Sequence, residues 1–385
     1  MMATKRLLDV CDFQGGTQPP KDEWINDPRE GYVRMLQIRD YSQGDAKYIQ
    51  YVKDTKKLHK CTKDDIMLSR YGYIGQAFIG LEGAYNVALV KVIKKAEIHT
   101  PYLLCYFQSY YFQHFLLSNV GARATIPGFN KDELEKALIR IPEMCKQIEI
   151  ASKITKVDEL IGFHKQQLNV LDTLIKSRFI EMFGTLSSNE QNFEVLTIES
   201  LCSLIKDGTH QTPTYTEDTI NGFKFLSSKD VMSTKINWGD IKYIPSDLHE
   251  KLYAVVKPIK NDILMSKNGV NYGVAAVNDT DEVFDIYVSL ALLRPKTDII
   301  NPVYFRSAIN SPDTKRQFDS SIKGIGVPNL HLGEIKKTKI LVPPVDKQNE
   351  YVSFVEQVDK SKFEIQQSLE KLEILKKSLM QQYFG

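Results

Sequence analysis

Residues Gln147–Gly184, QIEIASKITKVDELIGFHKQQLNVLDTLIKSRFIEMFG, return as Gln348–Gly385, QNEYVSFVEQVDKSKFEIQQSLEKLEILKKSLMQQYFG, at a constant offset of 201 and without a gap. The copies share Gln147/Gln348, Val157-Asp158/Val358-Asp359, Leu168/Leu369, Leu171/Leu372, Lys176-Ser177/Lys377-Ser378 and Phe183-Gly184/Phe384-Gly385. Neither contains proline, and Gly162 is the only glycine before the last position. In the first copy apolar residues stand at 150, 154, 157, 161, 168, 171 and 175, the 3-4 alternation of a coiled-coil seam. At ~1.5 Å per residue such a helix spans roughly 50 Å. A one-sided stripe that long needs a partner, and the second copy is the obvious one.

The segments leading into each helix match more loosely. Gly16-Thr17-Gln18 corresponds to Gly208-Thr209-His210-Gln211, and 33–40 (VRMLQIRD) to 223–230 (FKFLSSKD). Further on, 63–72 (KDDIMLSRYG) corresponds to 260–269 (KNDILMSKNG), and 124–130 (ATIPGFN) to 325–331 (IGVPNLH). The chain is one unit written twice, too long for a solenoid repeat. It divides into a mixed domain over 1–142, a long helix over 143–184, a second mixed domain over 185–343 and a second long helix over 344–385, with a polar linker at 185–192. Clusters rich in Val, Ile, Phe and Tyr, such as Tyr85–Ile93 and Tyr287–Leu293, read as strands. Thr100–Leu117 and Asn301–Phe318 each read as one amphipathic helix, opened by a capping residue and a first-turn proline. The predicted fold class is therefore α+β: two tandem pseudo-symmetric α/β domains separated by two long helices that form an antiparallel coiled coil.

Composition narrows the function. With 385 residues the chain has room for two or more domains, and 42% hydrophobic with 25% charged residues is ordinary for a soluble globular protein. No apolar run approaches the ~20 residues of a membrane span, and the opening MMATKRLLDV has no signal-peptide core. Cysteines 11, 61, 105, 145 and 202 form no Cys-x-x-Cys pair, which predicts a reduced, cytoplasmic protein without a zinc site. The net charge of +2 demands no nucleic acid, so any DNA-binding face must be local. The phosphate-loop, dinucleotide, zinc-protease and nucleophile-elbow motifs are all missing. Asn301-Pro302-Val303-Tyr304 approaches the N-P-P-Y loop that holds an adenine in amino-methyltransferases, but it lacks the second proline and a glycine-rich S-adenosylmethionine loop. An N-cap followed by proline explains it, and explains its counterpart Thr100-Pro101. The chain reads as non-catalytic, with no metal or cofactor of its own.

What remains is a set of polar, glycine-flanked loops in equivalent places. Ser69-Arg70-Tyr71-Gly72 and Ser266-Lys267-Asn268-Gly269 each follow an apolar strand end. A base beside a hydroxyl suits a phosphate or a guanine edge, and Asn268 an adenine edge. A plain hairpin turn with glycine at positive φ is the competing reading. Thr17 and Gln18, like Thr209, His210 and Gln211, are polar and differ between copies. Arg39 and Lys229 are each followed by Asp, so an internal ion pair competes with a DNA contact. Arg123 and Lys323 precede Pro127 and Pro328 on a loop within reach of a phosphate. On the helices, His164 falls on the seam as a buried, hydrogen-bonded histidine, and Lys362 snorkels to the edge. Phe183 and Phe384 either staple the helix ends or offer a docking surface.

In this order, repeated at one offset, the motifs resemble the specificity (S) subunits of Type I restriction–modification enzymes. The resemblance rests on the S-[RK]-x-G loops ending Ile66–Gly72 and Ile263–Gly269, and on the lead Pro343-Pro344 to Gln348, of which the first copy keeps one proline, Pro142, before Gln147. It implies that each mixed domain is a target-recognition domain reading half of a split double-stranded DNA site. It implies that the helices set the gap and dock two methyltransferase subunits, and that motor–nuclease subunits join for cleavage. S-adenosylmethionine, ATP and Mg then belong to those partners. The loops differ, so the implied target is asymmetric. The DNA-binding set is Thr17, Gln18, Arg39, Ser69, Arg70, Tyr71 and Arg123 in the first domain. In the second it is Thr209, His210, Gln211, Lys229, Ser266, Lys267, Asn268 and Lys323, with Phe183 and Phe384 as docking residues. The alternatives are a specificity subunit of another restriction or phage-defence system, and a coiled-coil scaffold that never touches DNA.

Overall fold

The structure is a computed structural model that describes residues 3–44, 48–120, 128–231, 234–322 and 328–385. It separates into two compact units: the chain up to Gln166 together with Gln366–Gly385, and Gln167–Ile365. Each unit thus holds one mixed domain and a piece of both long helices, which run unbroken over Met144–Phe183 and Val345–Phe384.

In the first unit the strand Ala3–Arg6 pairs antiparallel with Leu138–Ile141, closing the domain just ahead of the long helix. A four-stranded sheet follows in the order Cys11–Gly15, Leu89–Lys94, Met67–Ser69, Ala77–Phe78. A second sheet runs Tyr51–Lys53, Tyr32–Leu36, Gly83–Tyr85, Lys60–Cys61, with one parallel pair at its centre. The second unit repeats the closing pair, as Glu194–Thr197 with Lys339–Val342. It also repeats the first sheet as Cys202–Asp207, Leu290–Pro295, Ile263–Ser266, Ala275–Val277. Its second sheet has three strands, Lys242–Ile244, Phe223–Leu226 and Phe284–Ile286. There a helix, Ser246–Tyr253, packs on Phe284–Ile286: His249 stacks on Phe223 at 3.6 Å and its Nδ1 lies 2.6 Å from the Asp285 carboxylate.

Two sequence expectations need correction. The amphipathic stretch after Pro101 is two helices, Thr100–Gln108 and Tyr110–Asn119, and its counterpart is Pro302–Ile309 and Pro312–Ser321. The break comes from a serine in extended conformation that restarts the helix: Ser109 Oγ accepts from Phe112 N, and Ser311 Oγ from Thr314 N ahead of Pro312. Tyr85–Ile93 and Tyr287–Leu293 are also not single strands. Asn86 turns the chain, its Oδ1 accepting from Ala88 N at 3.2 Å and its carbonyl from Leu89 N at 3.0 Å. In the second unit Leu290 N donates to Tyr287 O at 2.9 Å.

Within each unit the two helix pieces run antiparallel, because residue numbers rise along one as they fall along the other. In the first unit Asp158 pairs with Lys376, Lys165 with Glu373 at 3.1 Å, and His164 Nε2 lies 3.0 Å from Ser368 Oγ. His164 is therefore the hydrogen-bonded seam histidine that the spacing predicts, half-buried rather than fully enclosed. In the second unit Lys362 reaches Asp172, and Arg178 lies 3.8 Å from Glu350. Lys362 does not simply snorkel; it ends in an ion pair between the helices.

The repeated glutamine explains how each helix is seated. Gln147 is buried; its Nε2 donates to Pro142 O at 2.8 Å and its Oε1 accepts from His99 N at 3.0 Å. Gln348 donates to Pro343 O at 2.8 Å and Ile299 O at 3.0 Å, and accepts from Asn301 N at 2.8 Å. One side chain thus satisfies backbone groups of the strand end and of the neighbouring helix start, which would otherwise be buried without partners.

Candidate nucleic-acid interface

In the first unit, loops far apart in sequence are gathered around the turn at Tyr85–Ala88. Thr17 N donates to Tyr85 O at 3.0 Å, Asn86 N to Leu36 O at 3.1 Å and Arg70 N to Ala88 O at 2.8 Å. Tyr71 bridges to Gly128. The second unit builds the same knot around Tyr287–Ser289. Thr209 N donates to Ile286 O at 3.1 Å, Tyr287 N to Leu226 O at 2.8 Å, Lys267 N to Ser289 O at 2.8 Å and Leu330 N to Lys267 O at 2.8 Å. The glycine of each Gly-Thr pair is required by this crowding. A Cβ on Gly16 would lie 2.0 Å from Asn86 O, and one on Gly208 1.9 Å from Ile286 O. Gly72 and Gly269 hold φ of 73° and 78°, as the turn reading requires. Sequence reasoning overlooked the central turns because their apolar flanks merged them into single strands.

Side chains in these knots divide into inward and outward groups. Ser69 and Ser266 are buried and face their own loops: Ser69 Oγ donates to Tyr73 O and accepts from Gln76 N, and Ser266 Oγ reaches Asn268 O. Their expected contact with DNA is corrected to bracing of the turn. Lys267 is 5% exposed, its Nζ 2.8 Å from Asp207 Oδ2. Its expected role as a free reading cation is corrected too: it is an internal ion pair. Burial would raise the Asp207 carboxyl, but the Lys267 ammonium, with His210 nearby, holds it below its ordinary value. Asn268 bridges to Asn329, and its Oδ1 is buried without a hydrogen-bond partner among the described residues.

Arg70 is half-buried; its Nε donates to Phe129 O at 3.1 Å, its Nη2 to Asn130 Oδ1, and the guanidinium lies 5.3 Å from the Tyr71 ring. Arg39 donates to Gln50 Oε1 at 2.7 Å and sits over Tyr48. Asp40 does not pair with it. That carboxylate takes Arg34 at 2.8 Å and caps Gln37 N. Lys229 pairs with Asp240 at 3.2 Å and, as expected, with the following Asp230 at 3.7 Å. Gln18, His210 and Gln211 are exposed, while Thr17 and Thr209 are half-buried with hydroxyls turned to His59 N and Gln211 N. Arg123 and Lys323 lie outside the described residues. At the loop tips Tyr73 is 76% and Val270 89% exposed. Both were missed, although each directly follows the positive-φ glycine that projects it.

Phe183 and Phe384 are corrected from docking residues to staples. Phe384 is buried against Tyr102 and Tyr106, with ring centroids 5.2 and 6.1 Å away. Phe183 is buried among Phe179, Phe193, Tyr304 and Tyr351. The large apolar groups that the helices do leave exposed are others, among them Phe163, Ile374 and Leu375 in the first unit and Val170, Leu174 and Phe363 in the second. The N-P-V-Y segment is structural: Asn301 Oδ1 caps Val303 N at 3.0 Å, and Tyr304 is buried, its hydroxyl donating to Leu341 O. Among the described residues no cluster of metal-ligating side chains occurs, and no helix is long and apolar enough to cross a membrane.

Known proteins place this architecture. The family model described as Type I restriction modification DNA specificity domain matches twice, at residues 1–173 and 190–376. The Type I restriction enzyme MjaVIII specificity subunit of Methanocaldococcus jannaschii is 23% identical over 97% of this chain and 90% of its own length. The EcoBI specificity subunit of Escherichia coli is 21% identical over 88% of this chain and 75% of its own. A solved Type I restriction–modification S subunit from M. genitalium shares the fold with a TM-score of 0.58 at 14% identity, covering 100% of this chain and 96% of that one. A chain from a structure on complex assembly in the type I R-M system gives 0.61 at 15%, over 100% and 97%. With a specificity-domain match over each half of the chain, it belongs to the family of Type I restriction–modification DNA specificity subunits.

Proposed function

We propose that this chain is a non-catalytic, sequence-specific DNA-binding subunit in which each mixed domain reads one half of an asymmetric bipartite target. The observation that carries the reading is the gathering of the candidate loops into one knot per unit, with differing polar side chains on equivalent backbones. In the first knot Gln18, Arg39, Arg70, Tyr71 and the tip residue Tyr73 face the duplex. In the second Lys229, His210, Gln211 and Val270 do so. Arg suits a guanine edge and Gln an adenine edge, so unlike knots read unlike half-sites.

The two long helices set the spacer and dock methyltransferase subunits, with motor–nuclease subunits completing the complex. S-adenosylmethionine, ATP and Mg are carried by those partners. Exposed Phe163, Ile374 and Leu375 on the helix pieces of the first unit, and Val170, Leu174 and Phe363 on those of the second, support docking on the helices. The test is binding of the chain, assembled with its methyltransferase partner, to duplexes that vary one half-site at a time. Arg70→Ala should cost ~1–3 kcal/mol at one position of one half-site if it reads a base. Binding without sequence preference would leave a scaffold. Adding one heptad to both helices should lengthen the preferred gap and keep the half-site sequences; an unchanged gap would remove the ruler.

A further inference from the structure

The two knots carry cations at equivalent backbone positions but neutralise them differently. Gly15 precedes Gly16 where Asp207 precedes Gly208, and the strand registers agree: Gly15 pairs with Val90, Asp207 with Ala291. In the second unit Asp207 reaches across to Lys267 at 2.8 Å. In the first, residue 15 is glycine, and among the described residues no carboxylate pairs with Arg70. Arg70 turns instead to two neutral acceptors, Phe129 O and Asn130 Oδ1. The second pair of cations repeats the contrast. Arg39 is held by the neutral Gln50 Oε1 and Tyr48 O, and Lys229 by the Asp240 carboxylate.

We infer that residue 15/207 is a specificity-determining switch of the loop cation: Asp207 withdraws Lys267 from DNA, whereas Gly15 leaves the Arg70 charge free to meet a phosphate or a guanine. This rests on the DNA-reading proposal above. The first loop cation is therefore bound with counterion release and the second without it, so the two loops contribute unequally to the salt dependence of the complex. A neutral ion pair displaces no net counterion on docking, while a free guanidinium displaces about one.

The geometry permits a reciprocal exchange. A Cβ built on Gly15 has the Arg70 guanidinium as its nearest neighbour, at 3.9 Å, an ordinary contact, and Gly15 has no positive φ. Gly15→Asp should therefore create the missing pair without strain, and Asp207→Asn should release Lys267. The experiment measures the slope of log K against log [salt] for the assembled complex on its own target. Gly15→Asp is expected to make the slope shallower by about one, Asp207→Asn steeper by about one, and the double exchange to restore it. Melting of each variant confirms folding; if Asp207→Asn unfolds, Gly15→Asp decides alone. A wild-type complex that binds with salt dependence and sequence preference, while the folded exchanges leave its slope unmoved, overturns the switch alone. A wild type with neither overturns the DNA-reading proposal and the switch together.

Discussion

Cys105 in the first unit and Arg306 in the second hold the same place in the helix after the repeated proline, and both are almost wholly buried. Cys105 belongs to the apolar core of its unit, and burial pushes its thiol up to about 12. Arg306 carries a charge into that position. Its Nη2 makes one long hydrogen bond, to Ser307 Oγ at 3.4 Å, and its Nε has no partner among the described residues. Tyr351, where the first unit has Ile150, also leaves its hydroxyl unpaired among the described residues. The difference teaches what duplication preserved and what it released. Backbone-satisfying residues such as Gln147 and Gln348 recur because both copies must close the same joint. Side chains in the space between helix and domain have drifted as far as a change of charge.

The largest expected effect tests the staples. Phe183→Ala should cost ~3–5 kcal/mol, and Phe384→Ala should fall at the lower end because its cage has fewer rings. Denaturant unfolding, with hydrogen exchange to locate the loss, checks this; equal losses would show that ring number does not set the difference. Next, Gln348→Ala should destabilise by about 1–3 kcal/mol, and more than Gln147→Ala, since it strands one more backbone group. Arg306→Met should raise the stability of the second unit by about 1 kcal/mol by removing an unpaired buried charge, and a fall in melting temperature would mean the cation is balanced in the folded chain. The smallest effect concerns acid. Asp207 is held below its ordinary value, so it contributes stability above its unfolded pKa, and this is lost as pH falls through the lower folded value. Asp207→Asn should flatten that acid limb in melts taken from pH about 5 downwards, and no matching limb should arise at Gly15.

The gap-free repeat of 147–184 in 348–385 was enough to give two long helices, their pairing and a doubled mixed domain, because a one-sided apolar stripe and a missing proline are local properties of the chain. The glycines of the turns were equally legible, since only glycine meets a carbonyl at that distance and glycine takes that φ at least cost. Which polar residues face outward was not. Ser69 and Ser266 look like ligands in sequence and are braces in space. Lys267 looks free and is tied to a carboxylate 60 positions away. Phe183 and Phe384 look like docking groups and are buried, while Phe163 and Phe363, off the main stripe, are exposed. A side chain's partner across a knot of loops depends on which strands lie side by side, and sequence spacing carries no record of that. Only tertiary structure decided that one cation is cancelled and its counterpart is not.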